Sequence, residues 1–240
     1  PWVNSLFQDA QPLAKGLFEG VAAQALDSVR ALRVARAELA DDYKPARDDR
    51  ALAMLSWQDF TPGELELLPT FLTIGGDGAT YDIGFGALSR VLTSGTPIKV
   101  MVLNTGVYSN TGGQASTASF VGQDSDLARA GKAHVGKTEG RKELGLLASF
   151  HPHVLVVQTA TSMQAHFLKN TVEFLSYGDG AAVLDVYTPC QGEQGIADDA
   201  AADRGRLAGR PRRAPLFVHD PRRGETVFER FSIEGNPDVN

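Results

Sequence analysis

Gly75-Gly76-Asp77-Gly78 and Asn104-Thr105-Gly106-Val107-Tyr108-Ser109-Asn110-Thr111-Gly112-Gly113-Gln114 are the two stretches on which the reading of this chain turns. Each follows a short apolar run that reads as a buried strand: Phe71-Leu72-Thr73-Ile74 before the first, Ile98 to Leu103 before the second. Two polar, glycine-rich turns therefore fall at the carboxyl ends of parallel strands, where open α/β sheets place their ligands. Asp77 and Thr105 stand 28 positions apart, room for one crossover helix between neighbouring strands. The pair offers a carboxylate, a hydroxyl and free backbone groups around one crevice. Mg²⁺ prefers oxygen and binds through few protein groups plus substrate phosphates, so this set suits a magnesium that also holds a diphosphate. Read without that pairing, Asp77 is a plain turn residue between glycines.

Outward from these turns the chain alternates. Asp82 to Leu92 reads as a helix ended by Ser94-Gly95, and Ile98 to Leu103 as the second strand. A loop rich in Ser, Thr, Gly and Gln runs from Tyr108 to about Gln123, and Asp124 to Ala130 and Arg141 to Ser149 are helical in composition. Val154 to Val157 makes a third strand, Met163 to Leu175 a helix, and Ala181 to Val186 a fourth strand closing on Tyr187-Thr188-Pro189-Cys190. Four strands alternating with helices predict an α/β fold, a doubly wound, mostly parallel sheet. Before the first turn, Leu13 to Leu39 reads as one long helix with Leu13, Leu17, Val21, Ala25, Val29 and Leu32 as its apolar stripe. Thr61-Pro62-Gly63-Glu64 has the form of a helix start. Residues 197–213 read as a solvated helix and loop, and Pro215 to His219 as a short strand before a loose tail.

The sequence resembles a known family. Gly-Asp-Gly followed 25 to 30 residues later by an Asn-containing turn is the signature of thiamine-diphosphate enzymes. The longer runs Gly75 to Gly84 and Val107 to Gln114 are specifically similar to pyruvate:ferredoxin (or flavodoxin) oxidoreductase. The likeness extends through Asn4-Ser5-Leu6-Phe7, Ala130-Gly131-Lys132, Pro189-Cys190 and Pro215-Leu216-Phe217, with 40–70 and 197–213 matching loosely as peripheral connecting segments. It implies one thiamine-diphosphate- and Mg²⁺-binding domain over 1–240, a fragment or subunit of a larger enzyme; the start at Pro1 rather than Met agrees with that expectation.

By the same resemblance, Asp77, the Thr105 hydroxyl and the Val107 carbonyl hold Mg²⁺, and Gly75, Gly76, Gly78 and Ser109 take part in binding the cofactor. Asn110 faces the reacting end of the thiamine, with shaping of the turn as its alternative role. Cys190 matches the position that supplies the last thiolate of a 4Fe–4S cluster; a cubane needs about four cysteines and this chain has one, so the others lie elsewhere or Cys190 is a small packed hydrophobe. Asn104 and Gly106 stand where the family often carries acidic residues. The implied activity is CoA-dependent oxidative decarboxylation of pyruvate or another 2-oxo acid. Its electrons leave through iron–sulfur clusters to ferredoxin or flavodoxin, in an enzyme completed by other domains and expected to be a homodimer. A cluster-free thiamine decarboxylase or carboligase, and a non-catalytic module of the same fold, are the alternatives.

Composition narrows the field further. At 240 residues the chain can bury a full core. A net charge of −6 and the lack of a basic face interleaved with aromatics argue against nucleic acid. No apolar run approaches a membrane span, and one cysteine suits a reducing cytoplasm. Gly131 to Thr138 has Walker A spacing, but that motif needs a strand before it and a helix starting at Lys137, and the flanking residues predict neither. His151-Pro152-His153 enters a strand with its imidazoles on opposite faces, a poor chelate. The arginines at 210, 212, 213, 222 and 223 read as a solvated basic face.

Overall fold

The computed structural model describes residues 26–56, 59–66, 70–126, 136–197, 199–209 and 214–236. Close contacts gather the chain into two units, one before residue 70 and one from Thr70 onward. Among the described residues no helix is long and apolar enough to cross a membrane.

In the first unit a helix runs over 26–39, and the part of the expected stripe before residue 26 lies outside the described residues. Val29 is buried with Leu55 and Phe60, and Leu26 and Leu65 pack against them. Pro45 opens the next helix, Pro45–Ala53, at a position where its missing N–H costs nothing. Thr61 caps helix Pro62–Leu65 in the reciprocal arrangement expected of Thr-Pro-Gly-Glu: Glu64 N donates to Thr61 Oγ1 (3.3 Å) and Thr61 N to Glu64 Oε2 (2.8 Å). Arg33 grips the buried Glu64 through Nε and Nη2, both at 2.8 Å, which holds that carboxyl down at about 2.

The second unit is built on a six-stranded sheet. Its strands are β1 (Phe71–Gly76), β2 (Ile98–Asn104), β3 (Leu155–Ala160), β4 (Ala182–Tyr187), β5 (Phe217–His219) and β6 (Phe231–Ser232), in the spatial order β1-β2-β4-β3-β5-β6. The first four are parallel, and β5 and β6 are added antiparallel. The expected doubly wound, mostly parallel α/β sheet is the fold observed. Runs such as Leu-Val-Val in β3 and Ala-Val-Leu in β4 are buried on both faces, the mark of strands covered by helices above and below. Leu155, Val157, Ala182, Leu184 and Val186 close on Phe174 and Tyr177, contributed by helix Gln164–Ser176 and its end. β1 is the edge strand, and its Leu72 and Ile74 remain 44% and 57% exposed.

Register is what positions the site. Gly76 pairs with Leu103, and Asn104 pairs with Tyr187. The chain therefore leaves β1 at Asp77, β2 at Thr105 and β4 at Thr188 side by side.

Several elements differ from expectation. The helix expected from Asp82 begins earlier, as a π-helical turn over Gly78–Ile83 whose Gly84 N–H reaches back to Ala79 O (2.7 Å), followed by α-helix Phe85–Leu92. Asp126 is not helical: its N–H donates to Gly113 O and its carbonyl accepts from Ala115 N, both at 3.1 Å, so its backbone is committed to the loop; residues 127–130 lie outside the described residues. The helix expected from Arg141 starts at Leu144, because Lys142 N donates to Thr117 O (2.8 Å). Nor is the tail loose as far as Asn236. Asn236 clasps Leu216, accepting from its N–H (2.8 Å) and donating to its carbonyl (2.7 Å), and the intervening chain forms β6.

Candidate active site

The π-turn after β1 sets the geometry. Its wider winding turns Tyr81 wholly inward and leaves Asp77, at the turn's start, 1% exposed. Asp77 Oδ1 accepts from Thr105 N (3.1 Å) and lies 3.0 Å from Thr105 Oγ1, while Oδ2 accepts from Ser116 Oγ (2.5 Å). The same Thr105 hydroxyl is 3.0 Å from Val107 O and 2.8 Å from Ser109 Oγ. One hydroxyl proton cannot serve both the Asp77 and the Val107 oxygens, so this cluster has more acceptors than donors. Among the described residues no ion pair reaches Asp77, and burial raises its pKa above the ordinary carboxylate value. A buried carboxylate that has hydrogen bonds but no ion pair among the described residues, beside a hydroxyl and a carbonyl, matches the oxygen donors that a hard divalent cation takes. Asp77, Thr105 and Val107 fit Mg²⁺ on those grounds.

The glycines have separate reasons. A Cβ on Gly78 would stand 2.2 Å from Cε1 of Tyr108, so the ring fills the space that a side chain there would need. Tyr108 Oη donates to Asp82 Oδ2 (2.7 Å), which fixes the ring against the turn. On Gly76 the nearest atom to such a Cβ is Leu103 O at 4.0 Å, leaving that backbone open to a ligand. Gly75 is tighter, with Thr80 Oγ1 at 3.1 Å.

Residues 66–186 match the family described as "Thiamine pyrophosphate enzyme, C-terminal TPP binding domain". The chain belongs to this family. It is 32% identical over 212 residues to a probable pyruvate-flavodoxin oxidoreductase of Escherichia coli K12, covering 88% of this chain and 16% of that protein. It is 31% identical over 174 residues to pyruvate synthase subunit PorB of Thermotoga maritima, covering 69% of this chain and 53% of that subunit. A solved 2-oxoglutarate:ferredoxin oxidoreductase from Magnetococcus marinus matches 54% of this chain and 42% of its own, at 19% identity and a TM-score of 0.41. The chain thus spans a sixth to a half of the length of these curated relatives.

Around the site of this thiamine-pyrophosphate domain lies a layer that motif reading missed. Ser119 Oγ (2.5 Å) and Gln123 Nε2 (2.9 Å) both donate to Gly106 O, and Lys137 Nζ donates to Ser116 O and Ser119 O, each at 2.9 Å. Burial lowers the Lys137 pKa, against the pull of Glu139 and Asp82. From the far side, Gln194 Nε2 donates to Thr105 O (2.8 Å). Their one signal in the sequence was the density of Ser, Thr and Gln in the long loop; nothing in it distinguished the bonded members.

Asn104 is 2% exposed and works as a structural hub. Its Nδ2 donates to Tyr81 Oη (2.8 Å) and Asp185 Oδ1 (3.2 Å), and its Oδ1 accepts from Gly106 N (3.1 Å). Tyr81 Oη donates in turn to Asp185 Oδ2. The carboxyl of Asp185 is driven up to about 6 by burial, opposed by these bonds and by Arg141. A neutral amide here avoids a second buried charge beside Asp185. Gly106 takes φ +71°, a left-handed conformation that glycine adopts without steric cost.

Asn110 sits exposed on the 3-10 turn Ser109–Thr111, on the same loop as Thr105 and Val107. Cys190 is a half-buried free thiol after β4, and its carbonyl accepts from Gln194 N (3.1 Å), the residue that also holds Thr105. Among the described residues no three His, Cys, Asp or Glu gather as a metal site. The Walker A reading fails: no helix begins at Lys137, and its ammonium is occupied by two carbonyls of the loop. His151 is fixed between Ser89 Oγ (3.0 Å) and Ala148 O (3.2 Å), in keeping with a structural role.

Proposed function

We propose that this chain is the thiamine-diphosphate- and Mg²⁺-binding part of a 2-oxoacid oxidoreductase that decarboxylates pyruvate or a related 2-oxo acid. The acyl group passes to coenzyme A and the electrons to ferredoxin or flavodoxin. The observation that carries the reading is the meeting of Asp77 Oδ1, Thr105 Oγ1 and Val107 O at one point, where the buried carboxylate has no ion pair among the described residues. The names of the relatives supply the reaction class.

Asp77, Thr105 and Val107 hold the ion, and the open backbone at Gly76 admits the diphosphate it carries. Ser109, hydrogen-bonded to Thr105, keeps that hydroxyl aimed, and exposed Asn110 meets the substrate end. Bound there, thiamine diphosphate supplies the electron sink for decarboxylation. Cys190 contributes one thiolate to a 4Fe–4S cluster whose other ligands come from outside this sequence, at the same sheet end as the metal loop because Gln194 joins the two. One cysteine and a thiolate-held cluster both suit the reducing cytoplasm. The remaining domains or subunits, and a second copy in a homodimer, complete the enzyme.

The test uses the assembled protein. Thiamine diphosphate binding should require Mg²⁺, and pyruvate with coenzyme A should then reduce a viologen dye. Binding without turnover leaves the domain as a non-catalytic module; no Mg²⁺-dependent binding at all removes the reading.

A further inference from the structure

The buried ammonium of Lys137 has work that the metal reading does not use. It is 6% exposed, and two of its three protons go to the carbonyls of Ser116 and Ser119, themselves 3% and 0% exposed. The hydroxyls of these same two serines reach into the site: Ser116 Oγ to Asp77 Oδ2 and Ser119 Oγ to Gly106 O, both at 2.5 Å. Ser116 N also donates to Ser119 Oγ (2.9 Å), so the turn is closed on itself. One lysine thus sets two hydroxyls, one on a metal-binding carboxylate and one on the peptide between Thr105 and Val107.

We propose that Lys137 is a positioning residue of the metal–diphosphate site, acting through the Ser116–Ser119 turn on Asp77 and Gly106. The proposal rests on the Mg²⁺ reading above. With Oδ2 held by Ser116, the carboxylate cannot rotate, and Oδ1 stays with Thr105. With Gly106 O held by Ser119 and Gln123, the Thr105–Val107 peptides keep one orientation. Mg²⁺ demands near-ideal short geometry, whereas Ca²⁺ accepts a larger and looser cage. A pinned turn therefore favours Mg²⁺ over Ca²⁺, and a released turn does not.

The backbone of Lys137 is anchored independently of its side chain: its N–H donates to Gln123 O (3.0 Å) and its carbonyl accepts from Gly122 N (2.7 Å). Lys137→Met consequently removes the ammonium while leaving the chain path in place. The experiment titrates Mg²⁺, then Ca²⁺, into the assembled protein at saturating thiamine diphosphate, by calorimetry, for the natural protein, Lys137→Met, Ser116→Ala and the double variant. Without the ammonium the buried Ser119 carbonyl loses its partner and Ser116 O keeps only Ser119 N (3.1 Å), which predicts a loss of Mg²⁺ affinity of roughly tenfold for Lys137→Met, with a smaller loss for Ca²⁺. The double variant should lose little beyond Ser116→Ala alone. Lys99→Met, a buried lysine at the other end of β2, serves as the control for general destabilisation.

Unchanged Mg²⁺ affinity in Lys137→Met, or equal losses for both ions as in the control, overturns the proposal. If Lys137→Met does not fold, Ser119→Ala replaces it, with the same fall in the Mg²⁺/Ca²⁺ ratio expected and an unchanged ratio overturning it. A natural protein that binds no Mg²⁺ removes the metal reading itself and the proposal with it.

Discussion

Asp77→Asn separates what the carboxylate does for the fold from what it does for the ion. Asparagine keeps an oxygen at the Oδ1 position, so the bond from Thr105 N (3.1 Å) and the contact with Thr105 Oγ1 (3.0 Å) survive. Its amide meets Ser116 Oγ, which turns to accept instead of donate. Bonds to a charged acceptor, about 1.5–3 kcal/mol each, become neutral ones of about 1 kcal/mol. Against that loss stands the removal of a charge at a site 1% exposed and without an ion pair among the described residues, where burial already raises the pKa. The two effects oppose each other, and the metal-free variant should melt within a few degrees of the natural protein. The ion loses more: removing one partner of a buried charge pair costs about 3–5 kcal/mol, so Mg²⁺ affinity should fall on the order of 10²–10⁴-fold. At a hundredfold excess over its dissociation constant the ligand stabilises the natural protein by about 2.7 kcal/mol. The assay is thermal melting of the assembled protein with and without Mg²⁺ and thiamine diphosphate. A ligand-induced rise in the natural protein that vanishes in Asp77→Asn is expected. An equal rise in both, or collapse of the metal-free variant, would refute the assignment of Asp77 to the ion.

Four further outcomes follow from the geometry. Asp185, with its folded pKa raised from 3.8 to about 6, binds more protons folded than unfolded between those values. Its contribution therefore falls as pH rises through that window, by at most about 3 kcal/mol, and Asp185→Asn should flatten the melting temperature between pH 4 and 6. Lys99, buried with Nζ donating to Pro97 O (3.3 Å) and Tyr177 O (2.5 Å), has its pKa lowered from 10.5 to about 8 by desolvation. Fewer protons bound when folded means stability rises from pH 8 to 10, a slope that Lys99→Met should remove in the same melts. Gly78→Ala drives a methyl into the Tyr108 ring and should cost about 1–3 kcal/mol in urea unfolding, partly recovered in the double variant with Tyr108→Ala. Cys190→Ser should abolish one cluster signal in low-temperature electron paramagnetic resonance of the anaerobic assembled protein; an undiminished signal would remove Cys190 as a ligand, and no cluster signal in the natural protein would favour a cluster-free thiamine enzyme.

Local patterns carried the sequence reading a long way. The short, mostly apolar runs at 98–103, 154–157 and 181–186 specified strands because a short run buried largely on both faces has few alternatives. Thr61 to Glu64 specified a capped helix start because every partner lies within one turn. Asp77 and Thr105 could be paired from spacing alone, since parallel neighbours need a crossover of about that length. The π-helical turn was not legible, because its winding answers to Tyr81 meeting Asp185, 104 positions away. The tail was not legible either: Asn236 is a polar residue outside any apolar pattern, and only its reach to Leu216 gives it a place.

The amino-acid order by itself determined that two glycine-rich turns close parallel strands and that one carries a carboxylate and the other a hydroxyl. Only the tertiary structure decided that Asp77 is buried without an ion pair among the described residues, that Ser116 and Ser119 hold it and Gly106, and that Lys137 holds them. The physical reason is one of range. Strand and cap signals are written in side chains a few positions apart, whereas a buried charge is defined by what the folded chain brings against it.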